Sequence, residues 1–245
     1  MDTLIYNYDP ATLAFLSAAP ADVSPLDPDQ VLVPAHATLI APPEILPNTW
    51  PVFDAQAQAW VLVADWRGAY YEIATGQPIT VTALGVQPAE MGLTNLAPPA
   101  GPAVFAAGAW ERDLATERTL AWTAIKARRD AIKVGGVQVG AYWFHSDADS
   151  RIQHLGLKDK ARDLLAAGGT MADAITILGQ PVQWKTLSGA FVTVTVQLAY
   201  DIVTAAGNLD ATAFAVAETH RQAMEAAADP ALYDFSVGWP PAFIG

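Results

Sequence analysis

The chain has 245 residues, of which 52% are hydrophobic, and a formal net charge of -12 at pH 7. This acidity disfavours a nucleic-acid partner, because phosphate binding depends on clustered Lys and Arg. The absence of cysteine excludes disulfides and thiolate metal sites, and no apolar run in the sequence is long enough to predict a membrane span.

Charge and proline content divide the chain into two regions. Residues 1–110 carry ten acidic side chains, one basic side chain (Arg67) and fourteen of the eighteen prolines, whereas residues 111–245 carry fifteen acidic and twelve basic side chains. The contrast indicates two regions of different construction, and their strand and helix patterns predict an α+β protein. A β-rich, proline-rich N-terminal domain is expected at 1–84, a linker at 85–108, and a mixed, mainly helical C-terminal domain with a small sheet at 109–245.

The N-terminal region has the pattern of short strands joined by turns. "LIYNYD" alternates and ends at the turn signal Asp9-Pro10, and the prolines between residues 20 and 51 are too frequent for a helix. "VFDAQAQAWVLVADWRGAYYEI" predicts a hairpin and a following strand, with a turn at Arg67-Gly68. Residues 85–108 show no periodicity, which favours a linker.

The C-terminal region has the pattern of helices with short strands between them. The predicted helices are 109–133, 147–167, 171–178, 196–206 and 210–228. The first is expected to bury Leu114, Leu120, Ile125 and Ile132. A glycine-led strand should follow it, and "VQWKT" and "FVTVT" should pair around a turn at Ser188-Gly189. The tail "LYDFSVGWPPAF" is too aromatic for a solvated end and is expected to pack against the protein.

Four side chains capable of metal or acid–base chemistry lie within ten positions: His145, Asp147, Asp149 and His154. A calcium loop would need Gly and Glu where Ile152 and Lys158 stand. For zinc, the two histidines lack the helical spacing of a known motif. The sequence therefore predicts no metal site in this stretch.

The same stretch predicts a helix start. Ser146 followed three residues later by Asp149 resembles a capping box, and negative charge is favoured in a first turn. Thr170 and Asp173 repeat this signature before "AITIL". The side chains expected on the buried face of the first of these helices are Ile152, Leu155 and Leu164.

Other catalytic patterns are absent from the sequence. It contains no phosphate-binding loop, dinucleotide fingerprint or nucleophile elbow, and the four histidines share no partner spacing. His220 is expected to be an ordinary surface or core-edge histidine. We therefore predict no cofactor, no catalytic residue and no enzymatic activity. A hydrolase that uses two distant carboxylates stays open, because such pairs need no sequence proximity.

Aromatic side chains crowd the predicted hairpin of the N-terminal region. They could fill a small β-rich core or form a partner surface, since aromatics are enriched in both. Arg67 could bind a local carboxylate such as Asp65 or face a partner. The candidate partner-binding residues are Trp60, Trp66, Arg67, Tyr70 and Tyr71.

The C-terminal region resembles a domain of uncharacterised function found at the C-termini of bacteriophage tail proteins. The resemblance covers about residues 115–240 and depends on "AWTAIKARRDAIKVGGVQVGAYWFHSDADSRIQHL", "VQWKTLSGAFVTVTVQLAYDIV" and "HRQAMEA". The residues at matching places are Trp122, Arg129, Asp130, Gly136, Phe144, Asp149, Ser150, Trp184 and Lys185.

The N-terminal region is similar to the start of phage tail-fibre assembly proteins. The shared stretches are "YNYDPATLAFL", "LVPAHATLIAPP" and "WPVFDAQAQAWVLVADWRGAYYEI", with Asp65, Arg67 and Gly68 at matching places. The resemblance implies a chain that helps the fibre to trimerise and contributes to receptor contact at the fibre tip. It brings no catalytic residue.

These observations together predict a phage tail-fibre assembly chaperone or a fibre-bound accessory protein that acts by protein–protein contact. The alternative is a permanent structural component of the virion tail or baseplate. The expected partner is a tail-fibre or baseplate protein, and a homo-oligomer is left open. The expected location is the host cytoplasm during assembly, with retention in the virion tail also open.

Overall fold

The computed structural model describes residues 3–27 and 29–244. The chain forms two compact units, of which the first ends at Asp113 and the second begins at Leu114. We call them unit 1 and unit 2. Unit 1 is rich in strands, and unit 2 is mainly helical with small sheets. The predicted α+β fold class is therefore confirmed.

In its described residues, unit 1 consists of short strands and a 3₁₀ turn, Pro88–Met91. The strands are β1 (Leu4–Tyr8), β2 (Phe15–Pro20), β3 (Asp22–Val23), β4 (Val31–Leu32), β5 (Ala37–Thr38), β6 (Thr49–Asp54), β7 (Ala59–Ala64), β8 (Gly68–Glu72), β9 (Pro78–Val81), β10 (Leu93–Thr94), β11 (Ala103–Ala106) and β12 (Ala109–Arg112).

The strands of unit 1 pair antiparallel in several small sheets. Two sheets have three strands, in the orders β2-β1-β5 and β10-β8-β9. The hairpin β6–β7 pairs Phe53 with Trp60 and Pro51 with Leu62, and a bridge from Ala14 to Val52 joins β6 to the start of β2. The predicted hairpin and following strand are thus present. Asp54 begins the hairpin loop, where its carboxylate accepts amide hydrogens from the next residues.

The segment predicted as a linker, 85–108, contains ordered elements. Here β10 pairs with β8, β11 pairs with β12, and Leu93 is buried. Strands of two to four residues leave no readable period in a local window, and their partners lie elsewhere in the chain. This is why the sequence pattern resembles that of a linker.

Unit 2 alternates helices with short hairpins. Its elements are α1 (Leu114–Val134), β13 (Val137–Val139), β14 (Tyr142–Phe144), α2 (Ala148–Ala166), β15 (Thr176–Ile177), β16 (Gln180–Pro181), β17 (Gln183–Lys185), β18 (Phe191–Thr193), α3 (Val196–Ala226) and a 3₁₀ turn, Pro230–Leu232. The strand pair β17–β18 turns around Ser188 and Gly189, as predicted.

Helix α3 contributes to all three hydrophobic clusters of unit 2. Ala199 packs in a cluster with α2, Ile202 in a cluster with β13 and β14, and Ala217 in a cluster with α1. The third of these clusters also receives Tyr233, Phe235 and Trp239 of the tail. The prediction that the aromatic tail packs against the protein is therefore confirmed.

The prediction of two helices at 196–206 and 210–228 is wrong, because α3 is continuous. The expected break, "AAGNLD", includes Gly207 and Asn208, which lie within the helix. A glycine in a helix interior costs about 1 kcal/mol relative to alanine, and tertiary packing routinely outweighs such a cost. The buried residues Ala206 and Ala213 on either side supply that packing.

The first helix begins later than predicted. Residues 109–112 form β12, and α1 starts at Leu114 instead of residue 109. Ile125 and Ile132 are buried as expected, but Leu120 is 56% exposed and Leu114 is also exposed. The predicted buried face is therefore correct only for the C-terminal half of α1.

The helix predicted at 171–178 is absent. The Thr170 amide donates to the carboxylate of Asp173, which closes a turn, and the chain then enters the short hairpin β15–β16. The Thr170 and Asp173 pair that suggested a helix cap thus stabilises a turn. A side-chain oxygen three residues ahead can accept the amide hydrogen both at a helix start and in a turn.

Candidate interaction site

Trp60 of β7 belongs to an aromatic cluster that fills unit 1. Its ring lies edge-on to Phe53 at 5.2 Å and to Phe15 at 5.7 Å between centroids. Tyr8 stacks on Phe53 at 4.9 Å. The Trp60 Nε1–H donates to the carbonyl of Ile40 at 2.7 Å. Edge-to-face and offset aromatic pairs of this kind stabilise a core beyond simple burial, so Trp60 has a packing role.

Arg67 forms a two-pronged contact with Asp65. Its Nε and Nη2 donate to the two carboxylate oxygens at 2.8 and 2.7 Å, and these hydrogen bonds lower the pKa of Asp65. The guanidinium also lies 5.4 Å from the ring centre of Trp50. Of the two roles considered for Arg67, the local carboxylate contact is therefore present. The side chain keeps 37% of its surface exposed, which leaves it accessible to a partner.

The five candidate partner residues do not share one face. Trp60 lies in β7, Trp66 and Arg67 lie in the segment between β7 and β8, and Tyr70 and Tyr71 are neighbours in β8. Successive strand residues point to opposite faces, so the two tyrosines diverge. All except Arg67 are half-buried.

Unit 1 also exposes many aliphatic side chains that sequence patterns did not single out. Leu26 is 96% exposed, and half or more of the surface of several others is accessible: Leu16, Val23, Leu46 and Val61. They stand in short strands and loops, where no amphipathic period distinguishes an inner from an outer face. These side chains are accessible to a partner.

In unit 2, the stretch of histidines and aspartates is a helix start, as predicted. The residue at the cap is Asp147 rather than the expected Ser146, and its carboxylate accepts from the Ser150 amide at 3.0 Å. The hydrogen bonds with Ser150 lower the pKa of Asp147. The Ser146 hydroxyl is buried and bonds instead to the Lys133 carbonyl and the Gly136 amide, both at 2.8 Å.

His154 lies inside unit 2 on the buried face of α2. Its Nε2–H donates to the His145 carbonyl at 3.1 Å, and its ring packs on Trp184 at 4.1 Å. Burial lowers the pKa of His154. The buried face of α2 consists of His154, Leu157 and Ala161, whereas Ile152 and Leu155, which were expected to be buried, are 67% and 55% exposed.

Arg151 is a structural residue that the sequence analysis missed. Its guanidinium donates to both carboxylate oxygens of Asp210 at 2.7 and 2.9 Å, and to the Ser146 and Lys133 carbonyls at 2.6 and 2.9 Å. It thereby joins the end of α1, the start of α2 and the middle of α3. A cavity of about 230 Å³ lies beside this ion pair, with Ile202 and Val203 among its apolar walls.

His220 fastens the C-terminal tail to α3. Its ring nitrogens lie 2.9 Å from the Tyr233 hydroxyl and 2.9 Å from the Val237 carbonyl, and its ring stacks on Trp239. It is 8% exposed, so it is a core-edge histidine as expected. Its ring nitrogens are already engaged by hydrogen bonds within the chain.

Over residues 3–27 and 29–244, no three His, Asp or Glu side chains converge as a metal site would require. Within those ranges, no helix has the length and apolar character needed to cross a membrane. The structure explains why two residues of the C-terminal motif stand at their positions. Gly136 has a φ of +109°, and a Cβ there would lie 2.4 Å from Leu187; Phe144 is completely buried.

Comparison with known proteins agrees with both regional resemblances. Residues 116–237 match the family described as Domain of unknown function (DUF4376). The chain is 31% identical over 115 residues to "Prophage tail fiber assembly protein homolog TfaR" of Escherichia coli (strain K12), covering 46% of this chain and 57% of that protein. It is equally similar to "Tail fiber assembly protein" of Escherichia phage lambda, covering 56% of that protein.

The chain spans slightly more than half the length of these curated relatives. No solved structure matches it. The resemblance predicted from the motifs is nevertheless confirmed. Residues 116–237 are thus similar to the DUF4376 family, and the chain is similar to two tail fibre assembly proteins.

Proposed function

We propose that this protein assists the assembly of a phage tail fibre by direct protein–protein contact, as a chaperone or a fibre-bound accessory protein. The observation that carries the proposal is the 31% identity over 115 residues to two tail fibre assembly proteins. The partner is then a fibre or baseplate polypeptide, and the work takes place in the host cytoplasm while the tail is built.

The surface of unit 1 supports contact as the mode of action. It combines exposed aliphatic side chains with a net charge of -9 over residues 1–110, counted as ten acidic side chains against one basic side chain. Exposed apolar side chains can contact apolar segments of a folding partner, and acidic charge gives the encounter a preference for basic surfaces. Such a surface suits a protein that binds, and we propose no catalysis and no nucleic-acid partner.

Co-expression tests the proposal. The C-terminal segment of the fibre protein encoded with this chain is produced with and without it, and soluble fibre trimer is measured by size-exclusion chromatography with light scattering. We expect soluble trimer only with the chain present. Equal trimer yield in its absence would refute the assembly role.

A matched pair of variants tests in that experiment whether the surface of unit 1 or that of unit 2 contacts the fibre. Leu26→Ser changes a side chain that is 96% exposed in unit 1, and Leu178→Ser changes one that is 97% exposed in unit 2. Both should leave the fold intact, because neither side chain is buried. If the surface of unit 1 receives the fibre, only the Leu26 variant should lower the yield of trimer.

A further inference from the structure

Strand β7 is an edge strand without the usual protection. Among the described residues it pairs only with β6. Its sequence, AWVLVA, contains no charge and no proline. Natural edge strands are normally guarded by charged side chains, proline, bulges or a covering loop, since a bare edge offers a template for another strand. Because β7 has no charge, no proline and no register shift against β6, it is a candidate for strand addition.

The register identifies the backbone groups that point outward from β7. The Phe53 amide donates to the Leu13 carbonyl at 2.9 Å and so points away from β7. Phe53 and its partner Trp60 therefore form a pair without mutual hydrogen bonds, and the alternation places Leu62 in the same orientation. Pro51, opposite Leu62, fits this register because it has no amide hydrogen to lose.

The outward groups of Trp60 and Leu62 are available for pairing. Within the described residues, neither main chain has a hydrogen bond on the outer side of β7. The edge closes only at its C-terminal end, where the Gly85 amide donates to the Ala64 carbonyl at 2.8 Å. An incoming strand can therefore form an antiparallel or parallel ladder over the first two thirds of β7.

Contacts of the Trp60 side chain hold the edge in place within unit 1. The Trp60 ring is held by the aromatic cluster and by its hydrogen bond to Ile40, while Val61 on the other face is 50% exposed. A preformed edge loses little conformational entropy on binding, which favours affinity. The exposed Val61 also offers an apolar contact to the side chains of an added strand.

Charge identifies the kind of strand that fits. Residues 1–110 have a net charge of -9, and their single basic side chain, Arg67, is engaged by Asp65. A second copy of this edge would bring the same negative charge and be repelled, whereas a strand flanked by Lys or Arg would be attracted. Building on the proposed function, we infer that the edge of β7 adds a strand from a partner polypeptide with basic flanks.

Hydrogen exchange with a defined peptide tests this inference without any fibre. The probe is Thr-Val-Thr-Val-Thr with two lysines at each end, and its matched control has glutamates instead. Amide exchange of the full chain is followed by NMR. We expect the lysine peptide to protect the amides of Trp60 and Leu62, and the glutamate peptide to bind at least tenfold more weakly. Raised salt should reduce this difference.

Two variants test whether binding depends on the outward backbone groups of β7. Leu62→Pro removes an outward amide but no bond to β6, and proline is tolerated at edge positions of this kind. It should weaken binding of the lysine peptide about tenfold, which corresponds to one hydrogen bond. Val104→Thr changes a 46% exposed position of β11, outside β7, so this variant should bind as the wild type does.

Three results would overturn the inference. These are no protection of the two amides, equal binding by the Leu62→Pro variant, or a wild-type dimer that the same substitution dissociates, which would assign the edge to a second copy. The proposed function fails by a different result, namely fibre that trimerises without the chain while the peptide still binds β7. The two failures are therefore distinguishable.

Discussion

The two units divide their apolar side chains between core and surface in different proportions. Among the described residues, fifteen buried hydrophobic side chains lie in unit 2, whereas unit 1 has five: Ile5, Ala14, Phe53, Val81 and Leu93. Over the residues that the structure describes, the large hydrophobic side chains exposed in the two units are similar in number, fifteen and fourteen. Unit 1 therefore leaves a larger share of its apolar side chains in contact with water than unit 2 does. This difference is consistent with the proposed role of unit 1 in binding a partner.

The units also differ in what specifies their fold. Unit 2 buries polar side chains that join distant segments, such as Ser146, His154 and His220. Unit 1 relies on exposed carboxylates that close local turns, such as Asp9 and Asp54. Buried hydrogen-bonded networks fix a single packing, whereas local turns fix only their own neighbourhood. Unit 2 should therefore be the more sensitive unit to single substitutions.

The largest difference is expected from phenylalanine deletion. Phe144→Ala in unit 2 should lower the free energy of unfolding by about 3–5 kcal/mol, since a fully buried ring leaves a cavity. Phe53→Ala in unit 1 should cost less, because its neighbours Tyr8 and Trp60 are only half-buried and can relax. Urea denaturation followed by tryptophan fluorescence measures both. An equal or greater loss for Phe53→Ala would contradict the comparison.

A second prediction compares two arginines of α2. Arg151→Met should cost about 1.5–3 kcal/mol, because it breaks hydrogen bonds that join three helices and leaves Asp210 unpaired. Arg162→Met should cost less than about 1 kcal/mol, since Arg162 is 67% exposed and pairs only with nearby carboxylates. Thermal unfolding of the two variants measures both losses of stability. Similar losses would show that the hydrogen bonds of Arg151 do not stabilise the packing of the three helices.

A third prediction concerns pH. Burial lowers the pKa of His154 below its ordinary value of 6.5, so the unfolded chain takes up the proton first as the pH falls. The free energy of unfolding should therefore decrease as the pH drops below about 6.5, and should level off below the folded pKa. In His154→Gln this decrease should be smaller. Denaturation curves between pH 7.5 and about 5 test it, and parallel curves for both proteins would argue against it.

The smallest effect is expected at Arg67. Arg67→Lys keeps the charge but loses the two-pronged contact with Asp65, and an exposed pair of this kind contributes less than about 1 kcal/mol. The melting temperature should hardly change. If Arg67 also contacts the fibre, the co-expressed trimer yield should fall without any change in stability. Asp65→Asn, which breaks the pair but leaves Arg67 in place, is the matched control.

The sequence predicted those features that depend on local chemistry. The β6–β7 hairpin with the strand β8 after it, the strand pair around Gly189 and the start of α2 near Asp147 all carry their signals within a few residues. The turn expected at Arg67-Gly68 is not among them, because Gly68 lies within β8. The aromatic tail was also predictable, because a run so rich in aromatic side chains is rarely left in water.

The features that failed depend on distant contacts. Gly207 suggested a break that packing on both sides prevents, and the Thr170–Asp173 pair satisfies a turn as well as a helix. The role of Arg151 depends on Asp210, which is 59 residues away, so no local sequence pattern predicts this contact. For the candidate site, the sequence found the aromatic hairpin but left open whether Trp60 packs in a core, because its contacts with Phe15 and Ile40 join residues that are distant along the chain.

The continuity of α3 has a consequence for how unit 2 unfolds. At 1.5 Å per residue, a helix of 31 residues extends for about 46 Å. Three hydrophobic clusters among the described residues of unit 2 take side chains from it, so the helix couples their packing. We therefore expect unit 2 to unfold cooperatively. The amides in the middle of α3 should exchange only when the whole of unit 2 unfolds.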